Sequence, residues 1–529
     1  MIKKFIEKMF ASRKPSAKAK VAAAAPMRAD GASVYQQAEH GINRADISAG
    51  ALRVCEMLQQ ENFKAYVVGG AVRDLILGRH PKDFDVATNA TPEEVRNVIR
   101  RARIIGRRFK LVHVMFGQET IEVSTFRANH PAAEDIDADE AEAPEIEEQT
   151  SSRRRPDNRG GRNDNKNDGD DFRHKKAHAD EHGRLLRDNV YGNMGDDAVR
   201  RDFTMNALFY DPQDETVWDY VNGFADVKKR TVVMIGDPAT RYREDPVRML
   251  RAARLAGKLD FAIAPATQAP IAELRPLLAN VPSARMYDEA LKMLLSGDAV
   301  KCLKKLQELQ LLAGMFAILD RAANNPQAMK LINLVLARTD ERIAQDKGVS
   351  PAFLFAALFW HEVTPRAQRL EAKGELPMVA LHAAMDDVLE AQRKSLAVPR
   401  RLDASIKELW AAQPRFAWRS KGKAFRTLAH PRFRASYDFY ELRAQVGDAD
   451  IEIAHWWEKF QFANEDEQNQ MLMADESPKP KKRRSRGRKN SGGPTTEGSA
   501  STASAKIISV ENYAPRDSGR DEQFKPEQG

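Results

Sequence analysis

Asp83 and Asp85 stand two positions apart in KDFDVAT (82–88). On a strand, residues i and i+2 share a face. The two carboxylates therefore point one way, while Phe84 and Val86 point the other way into a core. A second strand-like run, ETIEVSTF (119–126), puts Glu122 and Ser124 on one face and Ile121, Val123 and Thr125 on the other. If both strands lie in one sheet with the same face buried, Asp83, Asp85 and Glu122 converge. Close carboxylates repel one another unless a cation lies among them. Hard oxygen ligands suit Mg²⁺ or Mn²⁺. Two such ions activate an attacking oxygen and stabilise a leaving one. Taken alone, D-x-D is equally the polar edge of a strand.

The residues upstream narrow the choice. In VVGGAVRDLILG (67–78) a strand runs into Gly69 and Gly70 and then opens a helix. Glycines let a backbone approach a phosphate, and a helix N-terminus offers oriented N–H groups. Arg73, one turn in, can add a charge-assisted contact. Arg127 directly follows the Glu122 strand and can reach the same cleft. A phosphate cradle beside a metal-binding acid set points to nucleotidyl transfer.

Elements to position these residues are legible. ISAGALRVCEMLQQENF reads as a helix, AYVVGG and FDVAT as strands, and KLVHVMFG and ETIEVSTF as two strands joined by a tight turn at Gly117. TPEEVRNVIRRA reads as a helix with Thr91 as N-cap, Pro92 at N1 and Glu94 completing a capping box. Residues 128–184 carry an acidic run and then a polar run that cannot bury enough apolar area to offset ordering entropy, so a disordered insertion is expected. His174, His178 and His182 within it are spaced by four, and loop solvation is preferred to a metal patch. From 186 to about 463 the pattern is mainly helical, and beyond 475 it is polar and Ser-, Gly- and Lys-rich. Trp456 and Trp457 could stack on bases, with helical core packing the preferred reading.

Composition excludes several classes. No stretch approaches the roughly 18–20 apolar residues of a membrane span. Two cysteines, Cys55 and Cys302, give no disulfide framework or metal-ligand spacing, and a reducing cytoplasm fits best. The net charge of +8 is local: without the eight cations of PKPKKRRSRGRKN (478–490), 76 Lys and Arg face 76 Asp and Glu. Such a run attracts polyanions with little sequence preference.

GGAVRDLILGRHPKDFDVAT (69–88) resembles the head signature of the nucleotidyltransferase superfamily that contains bacterial poly(A) polymerases and tRNA CCA-adding enzymes. RRDFTMNALFYD (200–211) is similar to the family's second motif, and REDPVRMLRAARLAGKL (243–259) to its E-D-x-x-R helix. GRRFKLVHVMFG (106–117), LLRDNVYGNMGDDAVRRDFTMNAL (185–208) and the basic tail resemble the poly(A) polymerase branch. The resemblance implies metal-holding Asp83 and Asp85, Glu122 as a third carboxylate, and a catalytic Asp202, whose alternative is an ion pair with Arg200 or Arg201. It implies triphosphate contacts from Gly69, Gly70, Arg73, Arg127 and Arg201, and a ribose contact from Asn206 on the Asp202 helix. Asp245 and Arg248, three apart on one helical face and held by one another, would read the base.

The expected fold is α+β. A polymerase-β-like head with a mixed sheet precedes an all-helical neck, body and RNA-binding part, between disordered termini. The expected boundaries are a disordered basic leader at 1–45, the head at 46–212, the base-recognising neck at 213–300, the RNA-binding body at 301–465 and a disordered basic tail at 466–529. The implied activity is template-independent transfer of AMP from ATP to RNA 3′ ends (mRNA and small RNAs) with release of pyrophosphate, by two-metal catalysis with Mg²⁺ or Mn²⁺. A role in cytoplasmic RNA decay, with RNA-decay proteins as partners, goes with it. CCA addition to tRNA is the alternative, and RNA binding without catalysis on a relic transferase fold is a further one.

Overall fold

Strands come first. Eight of them, β1 (Ser33–Tyr35), β2 (Ala65–Val68), β3 (Asp85–Thr88), β4 (Ala102–Ile105), β5 (Leu111–Phe116), β6 (Glu119–Thr125), β7 (Leu208–Asp211) and β8 (Thr216–Asp219), form one mixed sheet in a computed structural model. The model describes residues 31–106, 110–117, 119–128, 178–179, 185–187 and 191–474. The strand order is β1-β8-β7-β2-β3-β6-β5-β4. Only β3 and β6 among neighbours run parallel, and their register sets Asp85 opposite Glu122 and Ala87 opposite Ser124. The phase inferred from alternation is therefore the observed one.

The sheet buries both faces. Val67, Val86, Val112, Val123, Tyr210 and Val217 pack under the Ala49–Gln60 and Pro92–Val98 helices in the main core. Tyr66, Val68, Ala87, Phe126, Phe209 and Trp218 form a second cluster with Met194 and Ala198. The Pro92–Val98 helix begins as the sequence dictates. Thr91 accepts from the Glu94 N–H at 3.3 Å, and the Glu94 carboxylate accepts from the Thr91 N–H at 2.7 Å. Such a cap is worth about 1 kcal/mol.

Three sequence expectations are corrected. The leader expected to be disordered over 1–45 is ordered in part, because Ser33–Tyr35 closes the sheet edge by antiparallel pairing with β8. The head sheet runs past residue 212, since β8 ends at Asp219. The continuous helix expected at 243–259 is two, Pro238–Glu244 and Val247–Leu259. Asp245 between them is extended (φ −148°, ψ 96°) because it precedes Pro246, whose ring excludes helical geometry at the residue before it. The 129–177 and 180–184 parts of the insertion, with His174 and His182, lie outside the described residues, as do residues 1–30 and the tail beyond 474.

After the sheet the chain is helical. The Val247–Leu259 helix packs so closely on the Ala299–Glu308 helix that a Cβ at Gly257 would lie 2.7 Å from the Cys302 Cα. Towards the C-terminal end, Phe416, Phe433, Tyr437 and Phe460 surround the fully buried Trp457, whose Nε1–H donates to the Phe416 carbonyl at 2.8 Å. Trp457 is thus a core residue, and Trp456 stacks on Phe460 at 4.5 Å. Among the described residues no helix is long and apolar enough to cross a membrane.

Candidate active site

β2 turns at Gly69 into the Gly70–Ile76 helix. Gly69 has φ +77°, a region that favours glycine, and a Cβ there would meet the Arg201 guanidinium at 3.4 Å. The turn forms one wall of a cleft of about 480 Å³. Eight cationic side chains line it: Arg73, Arg127, Arg200, Arg201, Arg248, Arg251, Arg254 and Lys258. Among the described residues only four carboxylates join them, those of Asp85, Asp197, Asp202 and Asp245.

Asp85 begins β3 at this cleft and keeps an exposed surface. Burial of the carboxyl, then Glu122 and Asp83, push it up to about 6 against the opposing pull of Arg201. Asp83 lies just before the strand and is exposed; Glu122 comes within 3.8 Å of the His113 ring. Neither lines the cleft. The convergence expected of the three acids is thus electrostatic rather than a closed cage. Among the described residues, no three His, Cys, Asp or Glu side chains are gathered to hold a metal. The donors present still fit a hard divalent ion. Asp85 is a carboxyl held up by burial and then by neighbouring acids, and Mg²⁺ is commonly bound by one or two carboxylates together with substrate phosphates.

Asp202 also lines the cleft and is held from several sides. Its carboxylate is buried; Oδ1 accepts from the Phe203 N–H at 2.8 Å and from Asn206 Nδ2 at 3.2 Å. Oδ2 meets Arg251 Nη2 at 2.8 Å, an ion pair outside hydrogen-bond geometry. Burial pushes this carboxyl up, but Arg251, Asn206, the Phe203 N–H and Arg248 outweigh it and hold it below the usual range. The expected alternative partners, Arg200 and Arg201, do not take this role. Nor is Asp202 on a helix with Asn206: a single 3₁₀ turn, Thr204–Asn206, leads straight into β7.

Asn206 links two sides of the cleft. Its Oδ1 accepts from Arg73 Nη1 at 2.6 Å. Arg73 is buried and also bound to Asp74, with Nε 2.8 Å from Oδ1. Its charge is thus matched within the protein, and it still lines the cleft. Arg201 is similarly held by Asp197 at 2.9 Å and by the Asn206 carbonyl at 3.2 Å. The Arg127 N–H donates to Asp197 at 3.3 Å, and burial lowers the Arg127 guanidinium.

The expected Asp245–Arg248 pair is absent. Arg285 Nη2 holds Asp245 at 2.8 Å, and Arg248 Nη1 binds Glu244 and the Arg241 carbonyl, both at 2.7 Å. The extended Asp245 backbone turns the two side chains away from a shared helical face. Both residues still line the cleft.

Sequence reasoning missed Arg200, Arg251, Arg254 and Lys258. Arg248, Arg251, Leu255 and Lys258 recur at helical spacing, a signal present in the sequence. Arg200 had none, because its significance is collective. Burial and the neighbouring Arg127, Arg201, Arg241 and Arg248 hold it down to about 9. A guanidinium remains protonated there, so the crowding expresses a strong positive potential suited to a polyphosphate.

Comparison with known proteins fits this geometry. Residues 65–233 match the family described as "Poly A polymerase head domain". Residues 260–322 match "Probable RNA and SrmB- binding site of polymerase A", and 373–490 match "Polymerase A arginine-rich C-terminus". The chain is similar to Poly(A) polymerase I of Salmonella typhimurium, 42% identical over 88% of this chain and 93% of that one. Poly(A) polymerase I of Haemophilus influenzae is 41% identical over 85% and 93%. The chain belongs to the bacterial poly(A) polymerase I family. It is a nucleotidyltransferase, with the family's RNA-binding segment. A CCA-adding enzyme of Bacillus licheniformis is 31% identical over 50% of this chain and 54% of its own. Similarity to poly(A) polymerase I thus extends well beyond the half shared with that enzyme.

Proposed function

We propose that this chain adds AMP from ATP to RNA 3′ ends without a template and releases pyrophosphate. The observation that carries the reading is the cleft lined by eight cations together with the Asp85 carboxylate, on a chain of this family. Arg200, Lys258 and their neighbours bind the triphosphate by charge, and the Gly69–Gly70 turn lets it approach the backbone. Asp83 and Asp85, with Glu122 behind, would hold Mg²⁺ or Mn²⁺, which when bound favours the attacking oxygen and steadies the departing pyrophosphate. The RNA 3′-hydroxyl approaches the α-phosphorus beside Asp85, and the bond to the β-phosphate oxygen breaks in line. Asp202 orients: through Asn206 it fixes Arg73, and through Arg251 it fixes the helix carrying Arg248. Asp245 and Arg248, held by Arg285 and Glu244, offer hydrogen bonds to the base. A place in cytoplasmic RNA decay alongside decay proteins follows as part of the same proposal.

The test gives purified protein Mg²⁺, an RNA of arbitrary 3′ sequence and one nucleotide at a time. Long products with ATP alone are expected. Addition that stops after C-C-A on tRNA would overturn the reading, as would RNA binding without incorporation.

A further inference from the structure

Apart from the cleft, one cavity is lined, among the described residues, by cations and aromatic rings without any acid. It measures about 370 Å³ and is bounded by Arg415, Phe416, Trp418, Lys423, Arg426 and Ser436 among others. Trp418 follows the Gln413–Ala417 turn and is 40% exposed, unlike the buried Trp410 and Trp457. The Lys423 ammonium stands 4.7 Å from the centre of its ring, on one face. No carboxylate pairs with Arg415, Lys423 or Arg426 among the described residues. Deeper in, Ser436 is 2% exposed, and its Oγ has no hydrogen-bond partner.

Each part matches a feature of a nucleotide in a single strand. An exposed indole offers a stacking surface for any base. Unpaired guanidinium and ammonium groups suit the phosphates on either side. A buried hydroxyl left without a partner costs free energy that a base edge would recover. The volume lies within the range of small-ligand pockets.

We propose that this cavity is a second RNA subsite, which takes one unstacked nucleotide of the acceptor strand away from the reaction centre. The base stacks on Trp418 and reaches Ser436 Oγ, while Arg415, Lys423 and Arg426 contact phosphates. The inference rests on the reading that RNA is the acceptor. It explains how a strand can stay bound while its 3′ end advances.

The test is equilibrium binding of a labelled 20-nucleotide A-rich RNA to the full chain in EDTA, with no triphosphate present. Trp418→Ala should weaken binding about tenfold, and Trp418→Phe should stay within about twofold of the parent. Arg426→Glu, which keeps the ring, should weaken binding and flatten its salt dependence. RNA carrying 4-thiouridine should crosslink to the Trp418 peptide. Unchanged RNA affinity in Trp418→Ala and Arg426→Glu overturns the subsite. So does photolabelling of the cavity by 8-azido-ATP that excess RNA fails to displace, which would mark a free-nucleotide site. A chain that adds no AMP yet shows Trp418-dependent RNA binding would leave this inference standing and remove the polymerase reading.

Discussion

Replacing Arg251 with Met isolates the Asp202 ion pair. The substitution keeps much of the side chain's apolar length and removes its charge. Asp202 then remains buried with only the Phe203 N–H and Asn206 amide as donors. Breaking a buried pair by removing one partner typically costs about 3–5 kcal/mol. Two features reduce that here. The Arg251 side chain is 37% exposed, so solvent already screens it, and two donors persist. A loss of about 2–3 kcal/mol is expected. The pH dependence has a definite sign. In the parent, Asp202 is held below the usual carboxylate range, so its contribution is present above the unfolded pKa and is lost as pH falls through the folded one. In Arg251→Met the largest opposing charge is gone and burial counts for more, so the penalty is expected to be largest near pH 8 and to shrink towards pH 4. Urea unfolding followed by tryptophan fluorescence at several pH values measures it. Adding Asp202→Asn to Arg251→Met should recover part of the loss, giving a coupling of about 1 kcal/mol or more. Equal midpoints for parent and Arg251→Met at pH 8, or additive double-mutant energies, would refute the pairing argument.

Three further outcomes are expected. Asp85→Asn should lower AMP incorporation roughly a hundredfold or more; it should also make the protein more resistant to urea above pH 6 in EDTA, because a carboxyl raised to about 6 loses stability as pH climbs through that value. Parent-like activity or weaker urea resistance would contradict this. Gly257→Ala should destabilise by about 1–3 kcal/mol, since the new Cβ meets the Cys302 backbone and neither helix can yield cheaply; an unshifted urea midpoint counts against it. Deleting 478–490 should weaken RNA binding and reduce the log K against log salt slope by at most about 6, while short primers at high concentration are still extended; an unchanged slope would show that the tail does not hold RNA.

Local rules made part of this molecule readable. The Thr91–Glu94 cap needs only four consecutive residues, and the shared phase of Asp85 and Glu122 needs only strand alternation. Long-range pairing was not readable. Ser33–Tyr35 is a three-residue edge strand whose partner lies some 180 residues on, and its short polar surroundings resemble a leader. The ion pairs failed for a related reason. Spacing suggested Asp245 with Arg248 and Asp202 with Arg200 or Arg201, all close in sequence. The folded chain supplies Arg285 and Arg251 from elsewhere. Pro246 did announce the break that separates Asp245 from Arg248, and the helical pattern around it concealed that announcement.

The crowd of guanidinium groups in the cleft has a consequence for the resting protein. Burial, and then the four guanidinium groups of Arg127, Arg201, Arg241 and Arg248, hold Arg200 down, so the cleft sets like charges close together. An incoming polyphosphate therefore completes the structure as well as occupying it. Triphosphate or pyrophosphate should raise the midpoint of thermal unfolding in proportion to the logarithm of its concentration, even in variants that cannot catalyse. Because that attraction is electrostatic, added salt should weaken polyphosphate binding and shrink the thermal shift.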